Sequence, residues 1–231
     1  MKKTSLNIVG DFSLSIDYKI KNIDNSIKNI FSKNSYNIVN LENPLTDLCK
    51  KNRLEKSGPH LKGNINSSID ILNYLNISHC TIASNHIKDY GNKGVEDTIN
   101  NLNNNKIQYI GAGKNITEAA QAKRLYLDSK KISILNYAEN EWSSATENSF
   151  GSNPYEIVDI CSSVKQEKNN SDFIIVIIHG GNEFYNLPSP KIQKDFRFII
   201  DQGADLIISH HSHCISGYEI YKGKEIYYGL G

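Results

Sequence analysis

The chain is poor in the residues that staple small secreted scaffolds and in the runs that mark membrane or nucleic-acid proteins. Its four cysteines, Cys49, Cys80, Cys161 and Cys214, are spread over 231 residues with no Cys-x-x-Cys pair. That spacing excludes a Cys-rich zinc module and a disulfide framework, and reads as reduced, mostly buried thiols. Cys214 sits beside His213, but a thiol outside a close pair is a poor ligand candidate. No apolar run approaches the about 20 residues of a membrane span. The N-terminal "MKKTSLNIVGDF" carries two lysines but no apolar leader core, so a cytoplasmic chain without a membrane segment is expected. A net charge of +1 gives no electrostatic footprint for nucleic acid or an anionic membrane. There is no internal repeat and no Gly-, Pro- or Ser-rich linker, so residues 1–231 read as one domain, long enough to bury a sizeable core.

Short apolar runs alternate with helical periods. "SLNIVGD" and "YNIVNLE" read as strands, "INSSIDILNYL" as a helix with Ile65, Ile69 and Leu72 on one stripe, and "HCTIASN" as a strand. "GVEDTINNL" repeats the stripe with Val95, Ile99 and Leu102; "IQYIGAG" is a short strand, and "NITEAAQA" a helix capped by Asn115 with Glu118. "RLYLDSKKISILNY" predicts a hairpin around Asp128-Ser129-Lys130. "AENEWSSATENSFGSNP" lacks periodicity and reads as a long loop around Trp142, an anchored surface loop rather than a lid. "DFIIVIIHGG" predicts a strand buried on both faces. "SPKIQKDFRFIIDQGA" is a helix with Ser189 as cap, Pro190 in its first turn and Gly203 at its end. "DLIISHH" is a strand, and "SGYEIYKGKEIYYGLG" a hairpin turning at Lys222-Gly223. Strands alternating with helices imply a layered α/β protein, and the hairpins imply a mixed sheet.

Of seven histidines, three fall within four positions in "LIISHHSHCISGYE". Apolar strands repeatedly end in a polar or ionisable group: Asp11, Glu42, Asn85-His86, His179, His211 and His213. Singly, Asp11 reads as a turn residue, Glu42 as a surface charge, Asn85 as a helix cap and His86 as a hydrogen-bonded loop imidazole. As a set they point to one rim, because ligands of open α/β sheets bind beyond the carboxyl ends of the strands. Imidazole, carboxylate and amide together suit Mn, Fe or Zn better than Ca or Mg. His211 and His213 point the same way if the chain stays extended, and diverge toward two neighbouring ions if it turns. Two ions about 3.5–4 Å apart need a carboxylate between them and can clamp a phosphoryl group. One or two divalent ions are expected, with His210 behind the ligands or facing solvent.

The stretches "VGDFSLS", "NLENPLT", "ASNHIKDYGNKGVEDTINNL", "GAGKN", "IIHGGNEFYNLPSPKIQ", "GADLIISHHSH" and "GYEIYKGKEIYYGLG" run in family order over essentially the whole chain. The sequence resembles the bacterial capsule-synthesis protein family (CapA-like, the poly-γ-glutamate capsule group). Asn-His-x-x-Asp-Tyr-Gly together with Gly-Ala-Asp…His-x-His is the specific part. The resemblance implies the calcineurin-like metallophosphoesterase fold: α/β, with layered mixed β-sheets flanked by helices. It implies that Asp11 binds one ion, Glu42 takes the bridging place, Asn85, His179 and His211 bind the second ion, and His213 returns to the first. His86 would be the non-ligand imidazole that stabilises or protonates the leaving group, which suits a histidine near its free pKa. Glu183 and Tyr185 would rim the pocket. The loop "KSGPHLKG" would put His60 and Lys62 near the substrate side, with Tyr90 a similar case, and His79 matches no ligand position.

Two departures stand out. Asp11-Phe12-Ser13 replaces the Asp-x-His of the broader phosphoesterases, which weakens the first ion site. The chain also ends at Gly-Leu-Gly, where relatives commonly continue, so a fragment without the family's C-terminal extension, or a soluble variant, is the expectation. The sequence shows no stretch that reads as the membrane anchor often found in the family at the cell surface. The expectation is a metal-dependent hydrolase-like protein of capsule or exopolymer synthesis. A metal-activated water would attack a phosphoester or an amide of an anionic polymer, with His86 assisting departure. The resemblance suggests poly-γ-glutamate or a capsule precursor as substrate and the capsule-synthesis machinery as partner. The alternative, motivated by Ser13, is a non-catalytic assembly component that keeps the fold for polymer or metal binding. A purely structural zinc ranks last, since such sites are closed and Cys-rich.

Overall fold

Alternation along the strands sets the layering. In a computed structural model describing residues 5–231, β1 (Ser5–Phe12), β2 (Ser35–Leu41), β3 (His79–Thr81) and β4 (Gln108–Ile110) form a parallel sheet in that order. Residues 1–4, which begin the stretch read for a leader, lie outside the described residues. A second sheet is built from β6 (Lys123–Leu127), β7 (Lys130–Ala138), β9 (Phe173–His179), β10 (Leu206–His210), β11 (Tyr218–Tyr221) and β12 (Lys224–Tyr227). Its order is β11-β12-β10-β9-β7-β6, parallel in the middle and antiparallel at both edge hairpins. The short strands β5 (Ala112–Gly113) and β8 (Gly151–Ser152) pair separately, so the segment read as one long loop is tied down by a strand.

Ile38 of β2 packs with Ile134, Ile175 and Ile177 of the second sheet, which makes the interior of a sandwich. Neighbouring residues of opposite parity face outward. Val39 and Cys80 meet α2 (Ile65–Tyr74) and α3 (Gly91–Asn104). Leu135, Val176 and Ile178 meet α5 (Ile157–Lys168) and α6 (Pro190–Gln202). The result is helix, sheet, sheet, helix, with β9 apolar on both faces because each face has its own core. Periodicity located α2, α3 and α6. The helix α5, and the short α1 (Asn25–Ile30), lay in stretches without a strong stripe. Asn115 and Ser189 cap α4 (Ile116–Ala119) and α6 as expected, each accepting from a backbone N–H three residues on. The β11–β12 hairpin turns at Lys222-Gly223, both with positive φ.

One irregularity positions the site. The β1–β2 register slips at Gly10: Val9 pairs with Val39, and Asp11 with Asn40. A one-residue slip moves the following side chain to the other face. Leu6 and Ile8 face the sandwich interior and Val9 faces outward; the bulge turns Asp11 back inward, toward β9. Gly10 is required there, because a Cβ would stand 2.0 Å from the Gly231 carbonyl oxygen, which accepts from the Asp11 N–H at 2.8 Å. Gly10→Ala is expected to destabilise the protein by about 2–3 kcal/mol in urea denaturation, and to weaken metal uptake through the displaced Asp11.

Candidate metal centre

Parallel strands of both sheets deliver their carboxyl ends to one edge of the sandwich. Asp11 is the penultimate residue of β1, Glu42 follows β2, Asn85 and His86 follow β3, His179 ends β9, and His211 and His213 follow β10. Every one of the predicted ligands reaches this edge. Three groups have ligating atoms mutually within 4.8 Å: Glu42 with His179 and His211, Asp11 with Glu42 and His213, and Glu183 with His211 and His213. Glu42 is common to the first two, the placement a bridging carboxylate needs. Its Oε1 lies 3.9 Å from His179 Nε2 and 3.5 Å from His213 Nε2. His213 Nδ1 lies 3.5 Å from Asp11 Oδ2, and Asn85 Oδ1 is 3.1 Å from His179 Nε2.

The chain turns after β10 rather than staying extended. His211 and His213 adopt φ of 83° and 51°, uncommon for residues with a Cβ. Their rings diverge: His211 packs edge-on to His179 at 4.9 Å, while His213 faces Asp11, Glu42 and the ring of Phe184. The turn is held by the His211 N–H donating to Asp11 Oδ2 at 3.1 Å and the Phe184 N–H donating to the Ser212 carbonyl at 2.8 Å. Ser13 is exposed and belongs to none of these groups.

The electrostatics fit a cation. Burial pushes the Glu42 carboxyl up to about 8, with Asp11, Glu183 and Asp89 adding to the rise. Burial likewise raises Asp11, against the hydrogen bonds from the His211 N–H and Asn40. Burial drives His179 well below the usual imidazole range, helped by His211 and His210, and also lowers His211. A divalent ion binds neutral imidazoles and ionised carboxylates: burial already keeps the imidazoles neutral, and a cation would supply the positive charge that the buried acids need in order to ionise. Glu42 Oε1 and His211 Nδ1 are moreover buried without a hydrogen-bond partner, and a buried polar atom left unpaired is costly.

A stability signature follows for chelated protein. Glu42 holds its proton to about pH 8 when folded, against an ordinary 4.5. Its contribution is therefore full below pH 4.5 and is lost as pH rises toward 8. Below 6.5 the lowered imidazoles oppose this trend, because their stabilisation grows as pH rises to that value. Above 6.5 these imidazoles are neutral in both states, and the trend is set by Glu42, with the raised Asp11 and Glu141 carboxyls acting in the same direction. Metal-free protein is expected to lose about 2 kcal/mol between pH 6.5 and 8 in urea titrations with EDTA, and added Mn should invert that slope.

His86 is buried, with Nδ1 2.8 Å from Asp89 Oδ2 and 3.4 Å from the Lys56 ammonium. Asp89 also accepts from the Leu61 N–H at 2.7 Å and is ion-paired with Lys56, whose side chain is itself almost fully buried. Among the other predicted residues, Glu183 lies 3.9 Å from His211 Nε2, and Tyr185 is exposed along a neighbouring groove with Asn182, Pro188 and Ser212. His60 Nε2 contacts the Leu54 carbonyl at 2.7 Å, and Lys62 donates to the Leu48 carbonyl at 3.1 Å; both hold the loop that covers Asp89. Tyr90 is buried beneath Arg53 and Lys62.

The sequence alone assigns no role to Asn40 or Lys56, and Asp89 stands in it only as the Asp of Asn-His-x-x-Asp-Tyr-Gly, without a role. Asn40 Nδ2 donates to Asp11 Oδ1 at 2.7 Å and lies 3.1 Å from His179 Nδ1, while its Oδ1 accepts from Thr81. The position of Asn40 near the end of β2, two residues before Glu42, was the available signal. Lys56 had none, since it reaches the site from a loop.

The chain matches the family described as "Bacterial capsule synthesis protein PGA_cap" over residues 3–231. It is 27% identical to the capsule biosynthesis protein CapA of Bacillus anthracis, covering 100% of this chain and 59% of that protein. It is 29% identical to the PGA biosynthesis protein CapA of Bacillus subtilis (strain 168), covering 89% of this chain and 54% of that protein. The chain thus spans a little over half the length of these curated relatives. Among solved structures, a novel phosphatase from Mycoplasma pneumoniae superposes over 100% of this chain and 73% of its own, with a TM-score of 0.59 at 17% identity. At that identity the likeness shows the fold alone.

Proposed function

The chain belongs to the bacterial capsule synthesis protein family PGA_cap, and from that premise we propose that it serves capsule or exopolymer synthesis as a metal-dependent hydrolase-like protein that breaks a phosphoester or amide bond. The observation that carries the reading is the meeting of Asp11, Glu42, Asn85, His179, His211 and His213 at one sandwich edge, with Glu42 common to two ligating groups. Asp11 and His213 would hold one cation, His179, His211 and Asn85 a second, with Glu42 between. A bound divalent ion polarises the oxygen of the scissile group and makes water nucleophilic at neutral pH.

The chain's own residues supply the rest. Asn40 fixes the orientation of Asp11 and His179. Asp89 receives the Nδ1–H of His86, which fixes the tautomer and leaves Nε2 to exchange a proton with the departing group. Among the described residues no helix is long and apolar enough to cross a membrane. Glu139, Glu141 and Glu183 lie near the mouth, and burial together with Glu139 raises Glu141. An anionic polymer would therefore approach only when cations offset these charges.

The test is bound metal by elemental analysis, followed by bis(p-nitrophenyl) phosphate hydrolysis with Mn added. The expected result is metal in the purified protein and turnover that His179→Ala reduces about a thousandfold. Ser13, exposed and outside the centre, motivates a second reading as a non-catalytic assembly component. Bound metal with no turnover on phosphoester or γ-glutamyl substrates would support that reading instead.

A further inference from the structure

His210 is a buried imidazole that neither the ligand groups nor the His86 pair uses. It ends β10 in register with His179 on β9, so the two rings stand side by side on the inner face of the sheet. Its side chain is 0% exposed, and neither ring nitrogen has a hydrogen-bond partner. Its nearest acidic atom is Asp11 Oδ1, 3.9 Å from Nδ1. That distance exceeds a hydrogen bond, and a shift of about 1 Å closes it.

Asp11 offers roughly four acceptor sites when ionised. Asn40 Nδ2 takes one on Oδ1, and the His211 N–H takes one on Oδ2. A cation held with His213 would take a further site on the Oδ2 side, where His213 Nδ1 lies. The remaining acceptor, on Oδ1, faces His210 Nδ1 at 3.9 Å and His179 Nδ1 at 3.7 Å, and of the two only His179 Nδ1 already has a partner, Asn40 Nδ2 at 3.1 Å. Burying a polar ring with both nitrogens unpaired is a cost the fold would shed with a leucine of similar volume, unless the ring acquires a partner in the loaded state. Resting on the metal reading above, we propose that His210 is a positioning residue: its Nδ1–H hydrogen-bonds Asp11 Oδ1 when the centre is loaded, and so locks the carboxylate for the ion that Asp11 shares with His213. The role has added weight here because Ser13 contributes nothing to that side of the centre.

The role separates affinity from stability. Mn titration by calorimetry would be run on the wild type, His210→Leu and His210→Asn, beside melting curves in EDTA. His210→Leu is expected to melt higher than the wild type when metal-free and to bind Mn about 10–100-fold more weakly, the usual effect of losing a partner of a metal ligand. His210→Asn is expected to restore most of the affinity, because its amide nitrogen overlays Nδ1. Affinity unchanged in His210→Leu overturns the proposal, as does a loss that asparagine does not recover. A drop in both affinity and metal-free melting temperature in His210→Leu also overturns it, since that pattern marks a packing role. Wild type that takes up no Mn overturns the metal reading itself, a result distinct from wild-type uptake that the variants leave unaltered.

Discussion

His86→Ala is expected to slow hydrolysis of an alkyl phosphoester by about a thousandfold while slowing a nitrophenyl ester by less than about tenfold. The difference lies in the leaving group. Nitrophenolate departs without a proton, whereas an alkoxide must be protonated as the bond breaks. The structure favours this assignment because His86 is outside all three ligating groups, so its loss leaves the cation donors in place. Its Nδ1 is engaged by Asp89, which leaves one nitrogen to work at the scissile bond. Steady-state rates on the two substrates, with bound metal measured in parallel, give the answer. Equal losses on both esters would make His86 a binding group rather than an acid, and a fall in metal content would make it a ligand.

Asp89→Ala is expected to cost about 3–5 kcal/mol of stability and to lower Tm by roughly 10 °C. Lys56 and Asp89 expose only 2% and 1% of their side chains. Removing the carboxylate leaves a buried ammonium without its counter-charge, strips the acceptor from the Leu61 N–H, and frees His86 Nδ1. Removing the pair together should cost much less. A Lys56→Met, Asp89→Leu double variant trades two desolvated charges for apolar packing, which is often neutral or stabilising for buried pairs. Denaturant titration of the single and double variants measures the coupling directly. A single variant within about 0.5 kcal/mol of the wild type would mean that Lys56 is solvated in solution.

The strands were legible because their apolar runs are short and bounded, and the polar residue closing each run was legible for the same reason. Asp11, Glu42, Asn85, His179, His211 and His213 could all be named from that pattern. The helix α5 was not, because its buried Ile160, Cys161 and Val164 sit among lysines and serines that blur the stripe. The strand at "HCTIASN" proved short, since pairing stops at Thr81 and the chain turns through Asn85 and His86. Lys56, and the pairing of Asp89 with it, stayed hidden because an ion pair between a loop and the turn after a strand has no sequence period.

Alternation and strand-end chemistry, both local properties, determined from the sequence alone that this is a layered α/β protein with carboxylate, amide and imidazole groups at its strand ends. The tertiary structure decided which of those groups face one another. A bulge at Gly10 turned Asp11 inward, a left-handed turn parted His211 from His213, and strand pairing set His210 beside His179. Each depends on a register between segments far apart in the chain, and a register is fixed by packing across the sandwich rather than by neighbours in sequence.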